Sequence, residues 1–113
     1  MFVDVYRLET AKGDGIYMGG KIGVIPPLGE DRGFNDYRPM PHDDGIPAMR
    51  PDEYCAFDSI EAMMRWMQDC SKFAKHGILL CRYRIHVQHV RYGKRQCVFR
   101  KEFAVKLEAV NVF

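Results

Sequence analysis

The stretch FDSIEAMMRWMQDCSKFAKHG, Phe57 to Gly77, decides the fold, because it reads as one amphipathic helix with its own start and stop. Ile60, Met63, Met64, Met67, Cys70, Ser71 and Ala74 recur at helical spacing on one face, and Trp66 and Phe73 widen it. Arg65, Gln68, Asp69, Lys72 and Lys75 fall largely on the other side. Asp58 is the expected cap, Glu61 completes a capping-box spacing, and Phe57 is placed to staple onto Ala62. At the far end His76 and the lysines suit the negative pole of the helix, and Gly77 supplies a left-handed stop. The expectation is one main helix over 58–76.

Working outward, residues 78–91 alternate as a half-buried strand does. Leu79, Cys81, Tyr83, Ile85 and Val87 form the inward set, and Arg82, Arg84, His86 and Gln88 the outward one. Tyr92-Gly93-Lys94 is hairpin-turn chemistry. Beyond it Cys97, Phe99, Phe103, Val105 and Leu107 are the expected inward set, with a bend near Lys101 to Phe103 and a last strand ending near Val112. Upstream, residues 2–9 read as a strand with Val3, Val5, Arg7 and Glu9 on one side, which carries Arg7 and Glu9 toward a cleft. All six prolines lie between Pro26 and Pro51 with three glycines among them, so 26–51 is a long loop, anchored by Phe34, Tyr37, Met40, Ile46 and Met49. The fold class expected is α+β: one main amphipathic helix packed on a small antiparallel sheet, with a long Pro/Gly-rich loop, in a single domain 1–113.

A chain of 113 residues with 47% apolar and 28% charged residues buries a core without staples. No apolar run approaches the roughly 20 residues that span a bilayer, so no membrane partner is expected. The opening MFVDVYRLE has an early Asp4 and no basic stretch, unlike a secretory signal. Cys55, Cys70, Cys81 and Cys97 stand 15, 11 and 16 residues apart, without the close ligand pairs of a zinc site. They read as thiols packed like small apolar residues, and no metal is expected. Net charge is +2, but residues 1–69 carry −6 and residues 70–113 carry +8. Either the surface is two-toned, or the halves neutralise each other internally; both readings stand at this point.

Three polar groups invite chemistry. Arg7, on the opening strand beside the turn Gly13-Asp14-Gly15 and Tyr17, has the bidentate fork that grips a phosphate; a surface pair with Glu9 is the plainer reading. His42-Asp43-Asp44-Gly45 places a histidine beside two carboxylates, as a general base and its orienter would be, but it is also turn chemistry. The outward row Arg82, Arg84, His86 and Gln88, with Gln96, Arg100 and Glu102 on the neighbouring strand, offers cations to a nucleic acid, although the aromatics of these strands face inward and leave no stacking platform.

The runs Val5-Tyr6-Arg7-Leu8-Glu9, Gly13 to Tyr17, Pro39 to Asp44, Phe57 to Glu61 with Trp66, and Gly93 to Phe99 together resemble a group of small phage-encoded accessory proteins. The resemblance implies a protein made in the bacterial host cytoplasm. A second similarity is to ADP-ribosyltransferases, carried by Arg7 on the first strand, Phe57-Asp58-Ser59 at a helix entry, and Gln96 or Glu102 on a late strand. It implies NAD as cofactor, with Arg7 on the diphosphate and Gln96 or Glu102 at the ribose. No catalytic set assembles from the sequence, whereas the loop carries Phe34 and Tyr37 and the charge is split. The leading expectation is therefore a non-catalytic protein that binds and inhibits or redirects a bacterial host protein, such as a defence system, in the manner of an anti-CRISPR, needing no cofactor. The ADP-ribosyltransferase-like or nucleotide-binding reading is second and nucleic-acid binding third.

Overall fold

In a computed structural model the described residues are 1–13, 15, 17–18, 21–22, 41–67 and 77–111. The chain is α+β and mostly strands. β1 (Phe2–Glu9) pairs antiparallel with β5 (Leu79–His86), and β5 pairs with β8 (Val105–Val110). A second sheet has β7 (Cys97–Arg100) between β4 (Glu53–Ala56) and β6 (Val90–Tyr92). β2 (Tyr17–Met18) and β3 (Lys21–Ile22) form a small ribbon.

The two larger sheets share one apolar interior. Val5, Cys81, Tyr83 and Ile85 of the first meet Ala56, Val90, Cys97 and Phe99 of the second, and the rings of Tyr83 and Phe99 lie 5.3 Å apart. Tyr6 and Phe57 exchange two backbone hydrogen bonds of 2.8 Å, which stitch β1 to the chain leaving β4. Two single 3-10 turns, Val87–His89 and Lys101–Phe103, carry the chain from one sheet to the other. The bend expected near Lys101 to Phe103 is there.

Several expectations are corrected. The strand read over 78–91 is broken at Val87, because the His86 side chain accepts from Gln88 N and turns the chain. β5 therefore pairs with β1 and β8 rather than with the strand from Gln96, and two sheets replace one platform. Residues 53–56, passed over in the sequence, are a strand. Phe103, Val105 and Leu107, expected inward, are exposed: β8 is an edge, and its register shifts opposite Arg82 and Tyr83.

The helix α1 is described over Ile60–Met67, and residues 68–76, with Cys70 and Phe73, lie outside the described residues. Its cap is Ser59, whose Oγ accepts from Ala62 N at 3.1 Å, and not Asp58. Met63, Trp66 and Met67 are buried, while Ile60 at 42% and Met64 at 39% are exposed, so the buried stripe is turned toward Trp66. That rotation follows the largest ring: Trp66 stands edge-on to Phe57 at 5.4 Å. Gly77 takes a φ of +68°, the left-handed value expected of it.

Candidate functional site

Arg7 and Glu9 sit two apart on β1, so both point to the same inner face, among Cys81 and Tyr83 of β5. Both are buried. Glu9 Oε2 accepts from the Tyr83 hydroxyl at 2.6 Å and lies 2.8 Å from Arg7 Nε and 3.4 Å from Lys101 Nζ; Oε1 accepts from Lys106 Nζ at 2.8 Å. Burial alone would raise the Glu9 carboxyl; the Lys106 and Tyr83 hydrogen bonds, with the charges of Arg7 and Lys101, outweigh it and hold its pKa below the ordinary value. The same contact raises the Lys106 pKa, while burial and then Glu9 push the Tyr83 hydroxyl up. Burial, reinforced by Glu9, pushes the Cys81 thiol up to about 11. Among the described residues, three cations share this one carboxylate.

Arg7 is held from every side. Nη1 donates to Cys55 O at 3.0 Å, and the guanidinium lies 5.3 Å from the centre of the Tyr54 ring. Gly15 leaves room for Nη2, since a Cβ there would stand 2.6 Å from it. Nε faces Glu9 with its N–H out of line, and is left without a hydrogen bond although fully buried. Arg7 forms part of the wall of a cavity of about 320 Å³, together with Leu8, Tyr54, Phe57, Trp66, Met67 and Gln96 among others. That volume lies in the range of small-molecule sites.

The expected site residues are divided by the structure. Arg7 and Gln96 come together on this cavity. Glu102 does not: it is exposed and pairs with Arg100 at 3.4 Å. His42 and Asp43 are exposed and 3.4 Å from each other, away from the described cavity wall. Asp44 is buried and accepts from Arg95 N at 2.9 Å and Gln96 N at 3.0 Å, so it fastens the 41–44 turn to the strand end that presents Gln96.

Arg82 pairs with Asp4 at 2.9 Å and Glu108 at 2.6 Å, and Arg84 with Asp4 at 2.9 Å. The expected row of free cations is thus interleaved with carboxylates, Arg100 lies in the other sheet, and Gln96, expected outward, is buried just before β7. Tyr17 is described only as backbone in β2, and Phe34 and Tyr37 lie outside the described residues.

Sequence reasoning missed Tyr54 and Glu53, which also line the cavity. Glu53 is buried and takes both Arg91 Nε at 2.9 Å and Nη2 at 2.7 Å. Burial works to raise its carboxyl, but the Arg91 hydrogen bonds prevail and lower it. The alternation of Glu53-Tyr54-Cys55-Ala56 was the available signal, hidden by the prolines before it.

A small α+β protein with a ligand-sized cavity walled by a fixed arginine is the class these features define. The chain belongs to the bacteriophage T4 Y00F protein family, whose model matches residues 1–113. It is thus a member of a phage protein family, and no helix among the described residues is long and apolar enough to cross a membrane. No curated protein matches the chain, and no solved structure does.

Proposed function

We propose that this phage-family protein binds an anionic nucleotide of the NAD type in the Arg7 cavity, in the manner of an ADP-ribosyltransferase-like fold. The observation that carries the reading is the charge balance: three cations gather on Glu9, and one of them forms part of the wall of a mostly apolar cavity. Lys101 and Lys106 reach solvent, but Arg7 is buried, and a phosphate-bearing ligand gives its fork a second anion beside Glu9. Tyr54, Phe57 and Trp66 give a base or nicotinamide flat surfaces to lie against. Gln96 can hydrogen-bond a ribose hydroxyl, but carries no charge for an oxocarbenium-like transition state. Glu53, the carboxylate among the described lining residues, has both oxygens on Arg91. Binding is therefore favoured over glycosyl transfer. Titration with NAD, ADP-ribose and ADP tests it: signals of Arg7, Tyr54 and Gln96 shift together, and silence at millimolar ligand rejects the reading.

A second reading keeps the expectation that the protein binds and inhibits or redirects a bacterial host protein, an anti-CRISPR being one such activity. His42, Asp43 and Met49 stand exposed on the described part of the proline-rich stretch, and support it. One dominant, stoichiometric host protein should then be captured, and lost when all three are changed to Ala. Capture unaffected by the triple change counts against this surface.

A further inference from the structure

We propose that Glu9 is the positioning residue of the Arg7 cavity, an inference that rests on the nucleotide reading above: its carboxylate fixes the guanidinium from behind, so that the ligand meets a cation already oriented. Glu9 shares a strand face with Arg7 and is fully buried. Its oxygens are themselves immobilised, Oε2 by the Tyr83 hydroxyl at 2.6 Å and Oε1 by Lys106 at 2.8 Å. The carboxylate is thus a rigid abutment, and Arg7 Nε rests against it at 2.8 Å. With Cys55 O on Nη1 and Gly15 against Nη2, the guanidinium has one place to be.

Orientation and charge make opposite demands here, which makes the role testable. A carboxylate beside a phosphate site repels the ligand, so on charge alone Glu9→Gln tightens anion binding. If Glu9 orients Arg7, the same isosteric change weakens binding although it removes a negative charge.

The experiment measures calorimetric affinity for ADP-ribose and NAD in the wild type, Glu9→Gln and Tyr83→Phe, together with the Arg7 Nε–Hε signal in ¹⁵N spectra of the free proteins. We expect about a tenfold or greater loss in Glu9→Gln, a smaller loss in Tyr83→Phe, and an Arg7 signal that is single only in the wild type. Equal or tighter binding by folded Glu9→Gln overturns the positioning role and leaves the nucleotide reading standing. A wild type that binds neither probe overturns the nucleotide reading, and the Arg7 signal then decides positioning alone: unchanged in Glu9→Gln, it refutes it. If Glu9→Gln does not fold, Tyr83→Phe carries the test, and wild-type affinity with an unchanged Arg7 signal refutes the role.

Discussion

At the scale of single residues the molecule places its unusual chemistry on the first strand. Gly15 is a glycine because Arg7 Nη2 occupies the space of a side chain, 2.6 Å from where a Cβ would be. Gly15→Ala should push the guanidinium out of place and weaken nucleotide binding about tenfold, with little change in the unfolding midpoint; calorimetry and thermal melts separate the two. The buried carboxylates set the acid limit of the fold. Glu9 and Glu53 both have folded pKa values below the reference value of 4.5, so their contribution is complete above that pH and is lost as pH falls through the lower folded values. Urea midpoints should be level from neutrality to about pH 5 and drop below it. Glu53→Gln should lower the plateau and flatten the drop.

At the scale of elements, periodicity was a good guide where one face meets a core and a poor one at corners and edges. β1 and β5 follow their alternation because Val5, Tyr83 and Ile85 all enter one interior. The same alternation continued past His86 in the sequence, yet a histidine side chain accepting from Gln88 N ended the strand. That local contact carries no period. β8 alternates too, but no layer among the described residues covers it, and its apolar residues are exposed. The helix was legible in kind and over Ile60–Met67, but not in its cap: Asp58 and Ser59 are adjacent capping residues, and it is the Ser59 Oγ that accepts from Ala62 N.

Ser59→Ala should then cost about 1 kcal/mol, while Asp58→Ala is near neutral. Paired denaturant curves show which holds. Between β4 and β6, Arg91 grips Glu53 and the carbonyls of Pro47 and Ala48 at 2.7 and 3.1 Å. Arg91→Ala leaves the Glu53 carboxylate buried without a counter-charge, held by the Arg50 N–H at 2.7 Å, and should cost about 3 kcal/mol in equilibrium unfolding. Arg91→Lys, which lacks the fork, should recover part of that.

At the scale of the whole molecule the acidic and basic halves of the sequence are folded into one another. Asp4 with Arg82 and Arg84, Asp52 with Arg100, Glu53 with Arg91 and Glu9 with Lys106 each join an early carboxylate to a late cation. Of the two charge readings the sequence left open, internal neutralisation is the one these pairs favour; composition cannot distinguish them because it holds no register. The candidate site was legible in part for the same reason. Arg7 and Gln96 were identifiable as residue types at strand positions, whereas Tyr54, Glu9 and Glu53 acquire their roles only when β4 and the late lysines are brought beside β1. Around Glu9 three described cations face one carboxylate, and the functional proposal turns on the buried one, Arg7.

The most direct measurement is therefore a ¹⁵N titration of the intact protein with NAD and ADP-ribose, repeated on Arg7→Lys after a melt confirms that it folds. Saturable shifts of Arg7, Tyr54 and Gln96 in the wild type, lost or strongly weakened in Arg7→Lys, are the predicted result. No shift at millimolar ligand, or the same saturable binding by folded Arg7→Lys, would contradict it.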